Sequence, residues 1–362
     1  MANSINMAGN ERIRLDALYR ATGIKRRYSV LPDFGLKAGQ YVFFPNNPDL
    51  QSFPGTGARM QIYRKEALKL ACKALEDCFR QIPENIIQGI THVITVSCTG
   101  MYAPGLDIEI AEYLNLPGTT SRTAINFMGC YAAFNALKTA DAFCRSDPEA
   151  TVLIVSVELC TIHYQNSSEW DHILSNAIFG DGAAACLITS SPLTDKAFQL
   201  QGFFCDLEPK GKEEMTWGIG DLGFEMTLSS YVPELVKGGI KHLTERLLHT
   251  FSSANTQIDL YAIHPGGKRI LEVIEEELSL DKKENRHAYS ILENYGNMSS
   301  ATILFVLKEL LNDLSGQDNS KNVLSVAFGP GLTLESMLLK PCIRNKSDHS
   351  IESLISKSVE KV

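Results

Sequence analysis

The chain has 362 residues, 44% of them hydrophobic and 21% charged, with a formal net charge of −8. That acidic balance argues against the basic overall footprint of a nucleic-acid binder, and no run approaches the roughly 20 apolar residues of a membrane span. The N-terminus lacks the charged-then-apolar pattern of a secretory leader, so a cytoplasmic enzyme is the expected class, with two domains or one duplicated fold.

The first sixty residues show no clean period. A basic run, Lys25-Arg26-Arg27-Tyr28, precedes a loop rich in Pro, Gly and Asn. Helical periodicity follows over 58–80, with apolar residues at Ile62, Ala67, Leu68, Leu70, Ala71 and Ala74. Residues 91–98 read as a buried strand and 106–114 as a short helix. The stretch 130–145 is apolar on nearly every side, which predicts a helix central in the core. Residues 151–157 predict a strand covered on both faces. A turn at Gly180-Asp181-Gly182 leads into a strand over 183–188.

The second half repeats this rhythm: a helix over 233–250, a strand over 258–263 and helices over 268–278 and 297–312. Strands over 323–327 and 334–339 flank Phe328-Gly329-Pro330-Gly331, a polar loop is expected over 314–322, and the polar last twenty residues are expected outside the core. Alternating strands and helices predict a mainly parallel α/β fold. The expected halves are 1–195 and 196–345, with 346–362 as a C-terminal extension.

Nine cysteines contain no Cys-x-x-Cys pair. Most are expected to be buried free thiols, and the Cys and His spacings support no metal site. Cys130 differs by opening the apolar helix, where the helix dipole and free backbone N–H groups favour thiolate while burial opposes it. Read alone, it is also a small core residue. His264 ends an apolar strand before Pro265-Gly266-Gly267, at the kind of strand end where catalytic groups collect. A hydrogen-bonded turn histidine explains it too. Asn297 opens a helix, where an N-cap is the ordinary role and an oxyanion donor the alternative.

Taken together, Asn126-Phe-Met-Gly-Cys130-Tyr, Phe179-Gly-Asp-Gly-Ala-Ala184, Ile263-His-Pro-Gly-Gly267, Tyr295-Gly-Asn-Met-Ser-Ser300 and Phe328-Gly-Pro-Gly-Leu332 resemble the type III polyketide synthases. These are the chalcone synthase-like branch of the thiolase-fold condensing enzymes. The resemblance spans about residues 25–339. It implies a five-layered αβαβα fold of two similar halves in a homodimer, with Cys130, His264 and Asn297 as the catalytic triad. It further implies iterative decarboxylative condensation of malonyl-CoA onto an acyl-CoA starter through an acyl-Cys intermediate, followed by cyclisation, with no cofactor beyond these substrates. Phe179 and Met226 match positions on the cavity wall, as do Cys160 and His163 in the bacterial-looking Glu158-Leu-Cys-Thr-Ile-His163. Lys25, Arg26, Arg27, Gly266, Gly267 and Lys268 fall where coenzyme A is bound.

Two departures stand out. Family members begin about thirty residues earlier with an edge strand, and this chain is expected to begin within the helix that follows. Ala103 replaces a bulkier residue that in plant members reaches into the partner's cavity. Two other readings remain at this stage: a ketoacyl-ACP synthase of the initiating type, whose histidine precedes Gln-Ala-Asn rather than Pro-Gly-Gly, and an inert thiolase-fold protein.

Overall fold

The computed structural model describes residues 10–47, 52–229, 231–251 and 257–344. Helix α1 (Asn10–Ala21) lies in the stretch that lacked a clean period. Its apolar contacts are few, with Leu15 and Leu18 packing against Ile173, so little patterning marked it in the sequence. Helix α2 (Thr56–Phe79) buries Tyr63, Ala67, Ala71 and Leu75 along one stripe. It is followed by α3 (Glu84–Gln88), β1 (His92–Ser97), α4 (Leu106–Tyr113) and β2 (Ser121–Asn126).

A 3₁₀ turn, Gly129–Tyr131, then leads into α5 (Ala132–Ser146), which buries Ala132, Ala133, Phe134, Ala136, Leu137 and Ala140. Next come β3 (Thr151–Leu159), α6 (Trp170–Ile178), β4 (Asp181–Thr189), β5 (Lys196–Leu207) and the hairpin β6 (Met215–Gly220) and β7 (Gly223–Leu228). The chain continues through α7 (Val232–Phe251), β8 (Leu260–Ile263), α8 (Lys268–Leu278) and α9 (Arg286–Tyr295). It finishes with α10 (Thr302–Asp313), β9 (Val323–Gly329) and β10 (Thr333–Ile343).

The strands form sheets ordered β2-β1-β3-β4 and β5-β10-β9-β8, plus the β6-β7 hairpin. In the first sheet β1 runs parallel to β2 and β3, and β4 is antiparallel. In the second only β8 and β9 are parallel; β10 is antiparallel to both its neighbours. The sheets are therefore more mixed than the expected parallel fold. The reason is local: β9 and β10 are joined by the short Pro330–Leu332 turn, which permits a hairpin but no crossover helix.

Three apolar clusters fill the spaces between layers. One joins α2 and α4 to the first sheet, and another joins α7, α8 and α9 to the second. The central cluster gathers Phe134, Ala136 and Ala140 of α5 with Ile303, Val306 and Leu310 of α10, between Ile154 of β3 and Val323 of β9. Five layers, αβαβα, result: this is the thiolase-like fold.

Several elements escaped the sequence. Strand β2 alternates exposed and half-buried residues because it lies at a sheet edge, so it has no apolar run. The 12 residues of β5 mix Gln and Lys with Phe and Leu for the same reason. The polar loop expected over 314–322 contains a 3₁₀ turn, Gly316–Asp318, and begins at the buried Leu314. Residues 346–362 lie outside the described residues.

Candidate active site

Cys130 sits in the 3₁₀ turn where the chain leaves the first sheet for α5. Gly129 adopts φ 77°, and a Cβ there would collide with the ring of Pro330. A Cβ on Gly329 would meet the Tyr131 ring at 2.7 Å and the Cys130 nitrogen at 3.3 Å. The two glycine motifs are therefore mutual: each lets the other's backbone come close to Cys130. Phe127 (φ 58°) and Ser299 (φ 50°) are left-handed without being glycine, close to Cys130 and Asn297 respectively. Such backbone persists where surrounding structure over-determines it, commonly at active sites.

Asn297 is fixed at both ends. Its Oδ1 accepts the Ser299 N–H at 2.8 Å, which turns the amide so that Nδ2 donates towards Cys130 Sγ at 3.7 Å and the Gly266 carbonyl at 3.4 Å. The cap-like role and the donor role thus coexist in one side chain. Its backbone pairs with residues flanking Phe179: Asn297 N–H donates to the Ile178 carbonyl and Gly180 N–H donates to the Asn297 carbonyl, both at 2.9 Å.

His264 follows the end of β8, fully buried, with its ring edge-on to Phe328 at 5.7 Å. Neither ring nitrogen has a hydrogen-bond partner among the described residues. An imidazole buried this way is unfavourable unless something else supplies the bond. Burial drives its pKa down to about 3, and pushes the Cys130 thiol up to about 12 despite hydrogen bonding from Asn297 and Ser299. Burial thus works towards the uncharged form of each group.

A cavity of about 370 Å³ opens beside Cys130 and Asn297. Its wall includes Phe179, Met226, Cys160, His163, Gly266, Gly267, Lys268 and Arg27. The β6-β7 hairpin supplies one apolar side, with Trp217 paired across the strands from Met226 and Met215 from Leu228. Trp217 Nε1 donates to the Cys98 carbonyl at 2.6 Å, which holds the indole in place. His163 is a neutral cross-brace: Nδ1 accepts from Phe224 N–H at 2.9 Å, Nε2 donates to the Thr99 carbonyl at 2.7 Å, and burial lowers its pKa to about 3.

The basic run divides. Arg27 donates to the carbonyls of Asn176 at 2.5 Å and Phe179 at 2.9 Å, and so secures the end of α6. Lys25 pairs with Glu293, and Arg26 is exposed; neither reaches the cavity wall. Lys268 lines the cavity and stands 3.8 Å from Glu272.

Sequence reading gave Glu158 no role. It is fully buried, and accepts Cys98 N–H at 3.0 Å, Thr99 Oγ1–H at 2.8 Å and the Ser300 hydroxyl. It therefore ties the strand end before Thr99 to the turn after Asn297. Burial raises its pKa to about 7. The available signal was a carboxylate closing an otherwise apolar strand.

The description "Chalcone and stilbene synthases, N-terminal domain" matches residues 4–192, and the corresponding C-terminal domain matches residues 199–343. The chain belongs to that family, the type III polyketide synthases. It is similar to the alpha-pyrone synthesis polyketide synthase-like Pks18 of Mycobacterium tuberculosis, 30% identical over 77% of this chain and 72% of that one. It is 31% identical to the probable polyketide synthase 1 of Dictyostelium discoideum over 69% of its own length, but spans only 8% of that relative. Among solved structures it resembles the C-terminal type III domain of Steely1, a Dictyostelium type I/III hybrid, with TM-score 0.82 at 25% identity over 94% of this chain and 93% of that one. It also resembles 1,3,6,8-tetrahydroxynaphthalene synthase from Streptomyces coelicolor, with TM-score 0.79 at 28% identity over 95% and 93%.

Proposed function

We propose that this chain catalyses iterative decarboxylative condensation of malonyl-CoA onto an acyl-CoA starter, with Cys130, His264 and Asn297 as its working groups. The observation that carries the reading is the Asn297 Nδ2 donor aimed at Cys130 Sγ beside an apolar cavity, with the His264 nitrogens unpartnered among the described residues.

The attacking species is the Cys130 thiolate paired with protonated His264, a charge separation that burial opposes and the Asn297 donor favours. Sγ attacks the starter thioester carbonyl and the new S–C bond forms. The Sγ proton, already on His264, leaves with the coenzyme A thiolate. His264 and Asn297 then donate to the malonyl thioester oxygen. Carbon dioxide departs, and the electron pair of the broken bond becomes an enolate held by those donors. Losing one such donor costs on the order of a hundredfold to a thousandfold in rate. Enolate attack on the acyl-Cys130 carbonyl forms the C–C bond and breaks the C–S bond. The chain, two carbons longer, is then held on coenzyme A, while Sγ leaves as a thiolate ready to take it back for the next round. A finished chain cyclises to a pyrone, resorcinol or phloroglucinol-type product within the apolar wall of Trp217, Met226 and Leu228.

The proposal extends to halves at 1–195 and 196–345, a cytoplasmic setting, no cofactor beyond the substrates, and a homodimer. The dimer is supported by β2, whose outer edge is free of strand partners among the described residues. No described helix is long and apolar enough to cross a membrane.

Intact-protein mass spectrometry after mixing with an acyl-CoA tests the central step. One acyl adduct on the wild type and none on Cys130→Ala is expected. An adduct that survives Cys130→Ala refutes the assignment.

A further inference from the structure

The 3₁₀ turn Cys160–His163, which follows β3, is pinned at both ends. At one end the His163 ring is held by Phe224 and Thr99. At the other, Thr161 is held from behind the cavity wall by Asp181, which is almost fully buried and does not line the cavity. Asp181 Oδ1 accepts Thr161 N–H at 2.7 Å, and Oδ2 accepts the Thr161 hydroxyl at 2.7 Å and Val30 N–H at 2.8 Å. Asp181 N–H in turn donates to the Tyr28 carbonyl at 2.9 Å. Three segments distant in sequence, 28–31, 160–163 and the start of β4, therefore meet at one residue.

The bond directions follow from the chemistry. An ionised carboxylate only accepts, so the single Thr161 hydroxyl proton is spent on Asp181. Ser29 Oγ, 2.7 Å from Thr161 Oγ1, must then donate to it, and Ser29 Oγ itself accepts Leu31 N–H at 3.0 Å. Leu31, Ser29, Thr161 and Asp181 thus form one hydrogen-bond chain with a single sense. Burying such groups costs free energy unless their bonds are met, so a wall that needed only filling has no use for them.

We propose that this chain, with the Thr161 hydroxyl at its centre, is a positioning device that sets which starter acyl groups are accepted at Cys130. This rests on the reading of Cys130 as the acyl acceptor. Cys160 and His163 both line the cavity. Freeing the Thr161 end lets Cys160 shift while His163 stays braced, and a wall that shifts accepts acyl groups of different size more evenly. The bonds to Asp181 are strongest while it is charged. Burial raises its pKa to about 6, against the bonds from Thr161 and Val30 and the pull of Arg27; Cys160 feels both this charge and that of Glu158. Below that pH the carboxyl gains a proton and the device slackens.

The test measures kcat/KM with acetyl-CoA and with a twelve-carbon acyl-CoA as starters, malonyl-CoA being the extender for both. Thr161→Val keeps the side-chain shape and removes the hydroxyl. It is expected to bring the ratio of the two values about fivefold closer to one, the worth of one ordinary hydrogen bond. Adding Ser29→Ala to it changes little, because the two side chains act as a unit. Thr161→Ser, which keeps the hydroxyl, retains the wild-type ratio. The wild-type ratio moves the same way from about pH 7.5 to about pH 5, whereas in Asp181→Asn it is the same at both, Glu158 being common to the two proteins. Equal losses with both starters mark a merely structural role and overturn the proposal. So does a serine variant that behaves like the valine one, or a wild type that does not discriminate. A wild type that takes no acyl group on Cys130 refutes the reaction instead. Alkylation of Cys160 by iodoacetamide then reads the turn directly: it must be faster in Thr161→Val than in the wild type and Thr161→Ser, or the device is refuted as well.

Discussion

Individual residues around Cys130 are set by burial more than by charge. Desolvation raises the thiol and lowers His264, which outweighs the help of a helix start and the Asn297 donor. The sequence showed both opposing influences on Cys130, but their balance needs the depth of burial. Glu158 follows the same physics. Burial raises it from 4.5 to about 7, so the fold favours its protonated form. The stability this contributes is complete below pH about 4.5 and is lost as pH rises to about 7. Glu158→Gln removes that titration, so its urea-unfolding free energy is expected to fall less than the wild type's between pH 4.5 and 7. Asp181, raised to about 6, titrates in both proteins and cancels in the comparison. Equal slopes for the two proteins would show that Glu158 is not the buried acid.

At the scale of elements, the site is a junction of turns. The 3₁₀ turn before α5, the loop between β9 and β10 and the turn before α10 close around Cys130 and Asn297. Gly129→Ala places a methyl against Pro330 at a positive φ. It is expected to destabilise the protein by about 1–3 kcal/mol and to slow acylation of Cys130. Thermal unfolding and the rate of adduct formation check both, and an unchanged midpoint would mean that the turn yields easily. Helix α6 is a second positioning device. Arg27 holds its C-terminal carbonyls, and the Phe179 bridge joins it to Asn297, so the cavity wall and the Asn297 amide are held together.

For the whole molecule, the two sheets with α5 and α10 between them explain why Cys130 comes from the start of α5 and Asn297 from the turn before α10. The same layout leaves β2 at the rim of its sheet, with Ala124 exposed. Pairing of two β2 strands about a twofold axis would continue the sheet into a second copy. Ala124→Glu is expected to set like charges close together and to shift the protein from dimer to folded monomer in sedimentation analysis. A wild type that sediments as a monomer counts against the dimer directly.

Buried strands and the apolar helix at 130–145 were legible because their residues are hydrophobic on every side, whatever packs on them. The motifs around Cys130, His264 and Asn297 were legible because, taken in order, they resemble those of one family; read singly, each residue had an ordinary structural role to explain it. Edge strands β2 and β5, and α1 with its few apolar contacts, left no comparable trace. Arg27 illustrates what folding alone decides. The sequence offers a cation suited to phosphate, whereas chain packing brings two backbone carbonyls to its guanidinium. Residue type fixed the chemistry each side chain can perform. The tertiary structure fixed which partners reach it, and how much water is left to compete with them.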